Sequence, residues 1–168
     1  MQAEKWGLKQ LDMEVWNGLI FIRFQPGPQP AVADVLGRFD EEIAPYDLAN
    51  MVPATSNSFS DTIPVNWKSV RDVDNEGYHV RQAHPGLHQL YGDGYFDEPF
   101  ENGTSRSVGT FNEAYGHRWS VRKYRELLPE ALHLPMPQQR QWIYFGMFPI
   151  FVLGLYPDSV IFYQELPQ

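Results

Sequence analysis

Asn66–Leu87 reads NWKSVRDVDNEGYHVRQAHPGL, and it gathers acidic and imidazole side chains at intervals that local geometry can bring together. Val65–Val80 is predicted to be helical, which sets Asp72, Glu76 and His79 at steps of four and three and raises them from one face. His79 and His84 are five apart, a poor spacing within a helix. Pro85 changes that, because the residue before a proline is pushed out of the α region and a helix usually ends there. His84 can then swing back toward His79. Two neutral imidazoles and a nearby carboxylate are a ligand set for a divalent transition metal, and two histidines with one carboxylate on one side of the ion leave the other positions open for oxygen chemistry. By itself, a pair of histidines five apart is weak evidence, since five histidines in 168 residues will sometimes fall so by chance.

The neighbouring residues are more specific. Asn66-Trp67-Lys68, Asp72, then Glu76, Tyr78, His79, His84, Pro85 and Leu87 together resemble the mononuclear-iron motif in the catalytic domain of Rieske-type ring-hydroxylating oxygenase α subunits. The resemblance implies that His79 and His84 are ligands of a mononuclear Fe(II). It implies that Glu76 is the relay passing electrons from a Rieske [2Fe-2S] centre on a neighbouring subunit. Glutamate in place of the frequent aspartate looks more like the branch acting on quaternary amines than the naphthalene-type dioxygenases. Asp72 is a candidate for orienting a histidine by hydrogen bond, its plainer reading being a solvated helix carboxylate. In the resembling family the third ligand is an aspartate on a later helix beyond the strands. This sequence stops at Gln168 after a predicted strand, so the triad is incomplete as written. Asp158 and Glu165 are the nearest substitutes.

Composition narrows the function classes. With 13 Lys and Arg against 21 Asp and Glu, the formal charge is -8. That disfavours nucleic acid and anionic membrane surfaces, which need clustered cations. There are no cysteines, which excludes disulfides, thiolate zinc sites and a Rieske centre on this chain's own side chains. A Rieske domain is therefore expected to be absent, leaving residues 1–168 as a single partial catalytic domain. The first residues, MQAEKWGLKQLDME, lack a basic and apolar leader. The longest apolar runs are too short to span a bilayer. The expectation is a cytoplasmic protein.

Elsewhere, Val15–Phe24 reads as one buried strand ending at Pro26-Gly27-Pro28. Asp34 is a candidate N-cap for a short helix to about Ile43. Thr55–Ile63 reads as an edge or solvent-facing strand. Residues 86–106 read as a glycine-rich loop with a turn of helix near Leu87–Tyr91, either a lid over the metal or a variable surface loop. Ser107–Tyr115 and Arg118–Tyr124 read as a hairpin, followed by a short helical piece over Arg125–His133. Trp142–Phe148, Phe151–Tyr156 and Val160–Glu165 read as successive antiparallel strands. Strands following a helix argue for α+β, with a curved antiparallel sheet wrapped over helices. That agrees with the helix-grip (SRPBCC/START-like) domain the resemblance implies, incomplete at the C-terminus.

His88 is a candidate ligand for a displaced metal, though a surface imidazole is the plainer reading, and His117 and His133 have no partner in spacing. Trp119, Trp142, Tyr144 and Tyr156 fall where strand residues would, as core or as the walls of a quaternary-ammonium cage. The resemblance implies O2-dependent hydroxylation or demethylation of a small aromatic or quaternary-amine substrate, with a reductase or ferredoxin as electron donor and a homotrimer as assembly. This chain alone is expected to be inactive unless partnered. Two other classes stay open: a redox-inactive helix-grip module that binds a small ligand, and a hydrolase using zinc on the same histidine pair.

Overall fold

The computed structural model describes residues 7–149 and 151–167. The chain divides into two compact units, Met1–Met51 and Val52–Gln168.

In the first unit the predicted strand over Val15–Phe24 is a hairpin, β1 (Asp12–Trp16) pairing antiparallel with β2 (Leu19–Arg23). The reason is Asn17-Gly18, whose φ values of 47° and 81° are those of a two-residue turn matched to strand twist. Nor is this a buried strand, since Ile20 and Ile22 are 65% and 53% exposed. Helix α1 (Val32–Leu36) begins after Ala31. Asp34 is not its N-cap. It sits at the third helical position, and its carboxylate reaches back to the Ala31 amide at 3.2 Å, closing half of a capping box. Short helical turns then lead through α2 (Asp40–Ile43), and Leu36, Phe39, Ile43 and Tyr46 are buried with Trp16. The Trp16 indole donates to Asp40 at 2.8 Å.

The second unit carries a five-stranded antiparallel sheet in the order β3 (Tyr95–Asp97), β4 (Thr104–Thr110), β5 (Gln141–Met147), β6 (Phe151–Tyr156), β7 (Ser159–Gln164). The three C-terminal strands fall where the sequence predicts them. Ile143, Phe145, Leu153 and Leu155 form a fully buried centre because β6 is covered on both faces. The unit is α+β, helices accompanying an antiparallel sheet.

Four expectations are corrected here. Thr55–Ile63 forms no strand, only a short turn at Thr55–Asn57, since its weak alternation offers no apolar face to bury. Residues 86–106 are largely ordered as helix α5 (Pro85–Tyr91) and strands β3 and β4, leaving residues 92–94 and 98–103 as loop. Arg118–Tyr124 is no strand. It opens helix α6 (Trp119–Leu127), which packs Val121 and Tyr124 against Leu90, Tyr91 and Phe111. Arg125 anchors that helix, its guanidinium donating to the carbonyls of Leu90, Asn112 and Tyr115. The helical piece placed at Arg125–His133 therefore ends at Leu127, two residues before Pro129.

Candidate metal centre

The motif helix is shorter than its periodicity predicts. Asn66 caps α3 (Trp67–Asp74), accepting from the Lys68 amide at 3.0 Å. Asn75 closes it by donating to the Arg71 and Asp72 carbonyls. The chain then leaves the helix at Glu76-Gly77-Tyr78 and re-enters one in α4 (Val80–Ala83), so Glu76 and His79 do not share a continuous helical face with Asp72. A competing side-chain bond explains the break: the Glu76 carboxylate accepts the His79 backbone N–H at 3.2 Å. The same carboxylate meets His79 Nδ1 at 2.7 Å. With Nδ1 protonated, His79 donates to Glu76 Oε1 and its Nε2 keeps a lone pair for a metal.

His84 lies between α4 and α5 at φ -120° and ψ 67°, outside the helical region, with Pro85 opening α5. This is the swing that the proline predicts. The His79 and His84 rings stand with centroids 5.0 Å apart and an interplanar angle of 76°. Two imidazoles bound side by side on one ion, with nitrogens roughly 2.1 Å away, have centroids about 4.5–5 Å apart, so the pair fits a shared divalent metal. His84 is exposed and His79 half-buried, leaving the pair open to solvent. Among the described residues no group of three or more His, Cys, Asp and Glu stands ready to hold a metal.

The other candidates are dispersed. Asp72 is exposed on α3. Asp158 is exposed in the β6–β7 turn, and the Glu165 side chain, 8% exposed, lies beside Arg71, 3.5 Å from its guanidinium. His88 stacks edge-on against Tyr115 at 5.9 Å, while His117 and His133 are exposed. Trp119 is 71% exposed. Trp142, Tyr144 and Tyr156 form one aromatic layer with Tyr91 and Tyr124, in which the Trp142 and Tyr156 centroids are 4.8 Å apart. The Trp142 indole donates to the Tyr124 hydroxyl at 2.8 Å. Burial raises the Tyr124 phenol to about 12, so it stays protonated at ordinary pH.

Sequence reasoning missed what stands on either side of the pair. A cavity of about 370 Å³ opens beside His84, walled by Leu87, Leu90, Val121, Tyr124 and Trp142. Reading α6 as a strand removed two of those walls from consideration. The second omission is Asp97, whose carboxylate accepts the Gly77 amide at 2.7 Å across 20 residues of sequence. No spacing rule connects those positions.

The second unit is thus an α+β domain that brings two imidazoles together beside a glutamate and an apolar cavity. Residues 41–168 match the family model for the ring hydroxylating alpha subunit (catalytic domain), and the chain belongs to that family. Over 84 residues it is 32% identical to the glycine betaine monooxygenase oxygenase subunit of Pseudomonas aeruginosa, covering 50% of this chain and 19% of that protein. A counterpart from Chromohalobacter salexigens is 33% identical over 81 residues, covering 48% of this chain and 18% of that protein. Among solved structures, the quaternary ammonium Rieske monooxygenase CntA superposes with a TM-score of 0.59 at 18% identity, over 92% of this chain and 41% of that one. A structure of a quaternary ammonium Rieske monooxygenase described for carnitine oxidation by gut microbiota gives a TM-score of 0.60 at 18% identity, over 92% of this chain and 42% of that one. The chain thus spans well under half the length of these relatives. The family carries a mononuclear iron and, in its full-length members, a Rieske cluster. This chain, with no cysteine, has no thiolates with which to hold a cluster.

Proposed function

We propose that this chain provides the iron-holding part of a Rieske-type oxygenase acting on a small quaternary amine, with His79 and His84 as ligands. The observation that carries the reading is the pair of rings 5.0 Å apart with Glu76 on the Nδ1 of one of them. Iron bound there supplies reductive activation of O2 for hydroxylation or demethylation. The protein's own tasks are separable. Glu76 fixes the His79 tautomer, holding the proton at Nδ1, and its carboxylate is the assigned relay toward a cluster on another subunit. Leu87, Leu90 and Val121 give the cavity beside His84 apolar walls, and the Tyr124 and Trp142 faces suit a trimethylammonium group through cation–π attraction. A third carboxylate ligand, a reductase or ferredoxin, a trimeric assembly and a cytoplasmic setting belong to the proposal through the family. Among the described residues, no helix is long and apolar enough to cross a membrane.

Iron retained by protein produced anaerobically with Fe(II) tests the reading. His79→Ala and His84→Ala are expected to lower it by about tenfold or more, as loss of one of few ligands should. Wild type and both variants holding the same negligible amount would remove the metal assignment. The apolar cavity also favours a second reading, a redox-inactive module binding a small ligand. Thermal shifts with quaternary amines that survive both histidine substitutions would select it.

A further inference from the structure

The Glu76-Gly77-Tyr78 turn lies outside α3 and α4, so the orientation of Glu76 and His79 depends on what holds that turn. The Gly77 peptide is tied from both sides. Its carbonyl accepts from the Val80 amide at 3.0 Å, which fixes the first turn of α4, and its N–H donates to Asp97 Oδ2 at 2.7 Å. Asp97 is itself locked: it ends the edge strand β3, pairs in register with Ser107 on β4, and accepts the Ser107 hydroxyl at 2.7 Å. Ser107 is 4% exposed. The Tyr95 ring, two residues before Asp97 on β3, lies so close to Gly77 that an added Cβ would meet it at 1.8 Å. The turn is thus clamped to the sheet by one carboxylate and one aromatic face, and a carboxylate bond to a backbone N–H is among the stronger kinds.

We infer that Asp97 is a positioning residue for the metal centre: through the Gly77 amide it sets the turn that aims Glu76 and His79, so that the edge of the sheet, not the motif helix, orients the first histidine. This rests on the metal reading above. The histidine adjoining the clamp is held by it, whereas His84 is placed independently by Pro85, so loss of Asp97 misaligns one ligand against the other without removing either.

The test compares Asp97→Ala, Asp97→Asn and, as a control on the same strand end, Glu98→Ala, which removes only the ion pair to Arg106. Co(II) titration followed by its visible ligand-field spectrum reads the site, and hydrogen exchange of the Gly77 amide reads the clamp. Asp97→Ala is expected to weaken Co(II) by about tenfold or more, the usual cost of losing an outer partner, and to alter the spectrum. Gly77 exchange should accelerate by a similar factor. Asp97→Asn, whose Oδ1 still accepts from Gly77, should recover most of both, and Glu98→Ala should change neither. Unchanged Co(II) affinity and spectrum in Asp97→Ala, beside a wild type that binds, would overturn the inference. So would unchanged Gly77 exchange. A wild type that takes up no Co(II) would sink the metal reading and this inference's metal role with it, while Gly77 exchange would still show separately whether the clamp exists.

Discussion

Gly77→Ala is expected to cost the protein both stability and its metal. The reason is space, since the new methyl would sit 1.8 Å from Tyr95 Cε1 and 2.5 Å from Cδ1. The ring cannot simply move away, because it packs against the Tyr91 ring, 5.9 Å between centroids, and its strand is paired with β4. Overpacking of this kind costs typically about 1–3 kcal/mol. At this chain length each kcal/mol lowers the melting temperature by about 2–4 °C. The turn carrying Glu76 and His79 is the lighter body and should yield first, so retained iron should fall alongside the melting temperature. Adding Tyr95→Leu removes the ring, and the double variant should regain much of what Gly77→Ala loses. An alanine variant that melts and loads iron like wild type would show that the turn is not held where the structure has it.

Arg71→Ala should be the most damaging single change in the second unit. Arg71 is 3% exposed, donates to Asn75 at 3.2 Å, and lies 3.5 Å from the buried Glu165 carboxylate. Removing the guanidinium leaves the buried Asp74 and Glu165 carboxyls without their cation, and leaving a buried polar group unsatisfied costs about 1–3 kcal/mol each. The same cluster makes stability fall with rising pH. Burial, followed by a hydrogen bond shared with Asp74, pushes the Glu165 carboxyl up to about 8, only partly offset by Arg71. A carboxyl raised in the folded state binds its proton more tightly there than in the unfolded chain. Its contribution is therefore complete below the ordinary carboxylate range and is lost as pH climbs through 8. Thermal melts between pH 6 and about 9.5 should show a decline in wild type that Glu165→Gln flattens. Equal slopes in the two proteins, or an Arg71→Ala variant melting within about a degree of wild type, would contradict this account.

Local chemistry made part of the centre legible and hid the rest. Pro85 was enough to predict that His84 turns back toward His79, because its constraint acts on the adjacent residue alone. Helical periodicity placed Asp72, Glu76 and His79 on one face and was misleading, because Glu76 prefers the His79 amide and imidazole to another helical turn. The Glu76–His79 contact survived that error, since a tight turn brings residues three apart together as readily as a helix does. Residues 118–124 carry polar and aromatic positions that suit either period. Burial of Val121 and Tyr124 against Leu90 and Phe111 decided for the helix.

What the sequence determined alone was whatever acts over a few bonds or by simple presence: the histidine pair with its proline, the glutamate beside it, the three C-terminal strands, and the lack of thiolates for a cluster. What only the tertiary structure decided lies at long separation. The Asp97 hold on Gly77, the Tyr124 and Trp142 walls of the cavity, and the burial of Glu165 against Arg71 rather than beside the histidines each join residues at least 18 positions apart. Such pairings follow from how strands and helices stack, because a side chain's partner across a sheet is set by register and packing and leaves no mark in the spacing of its neighbours.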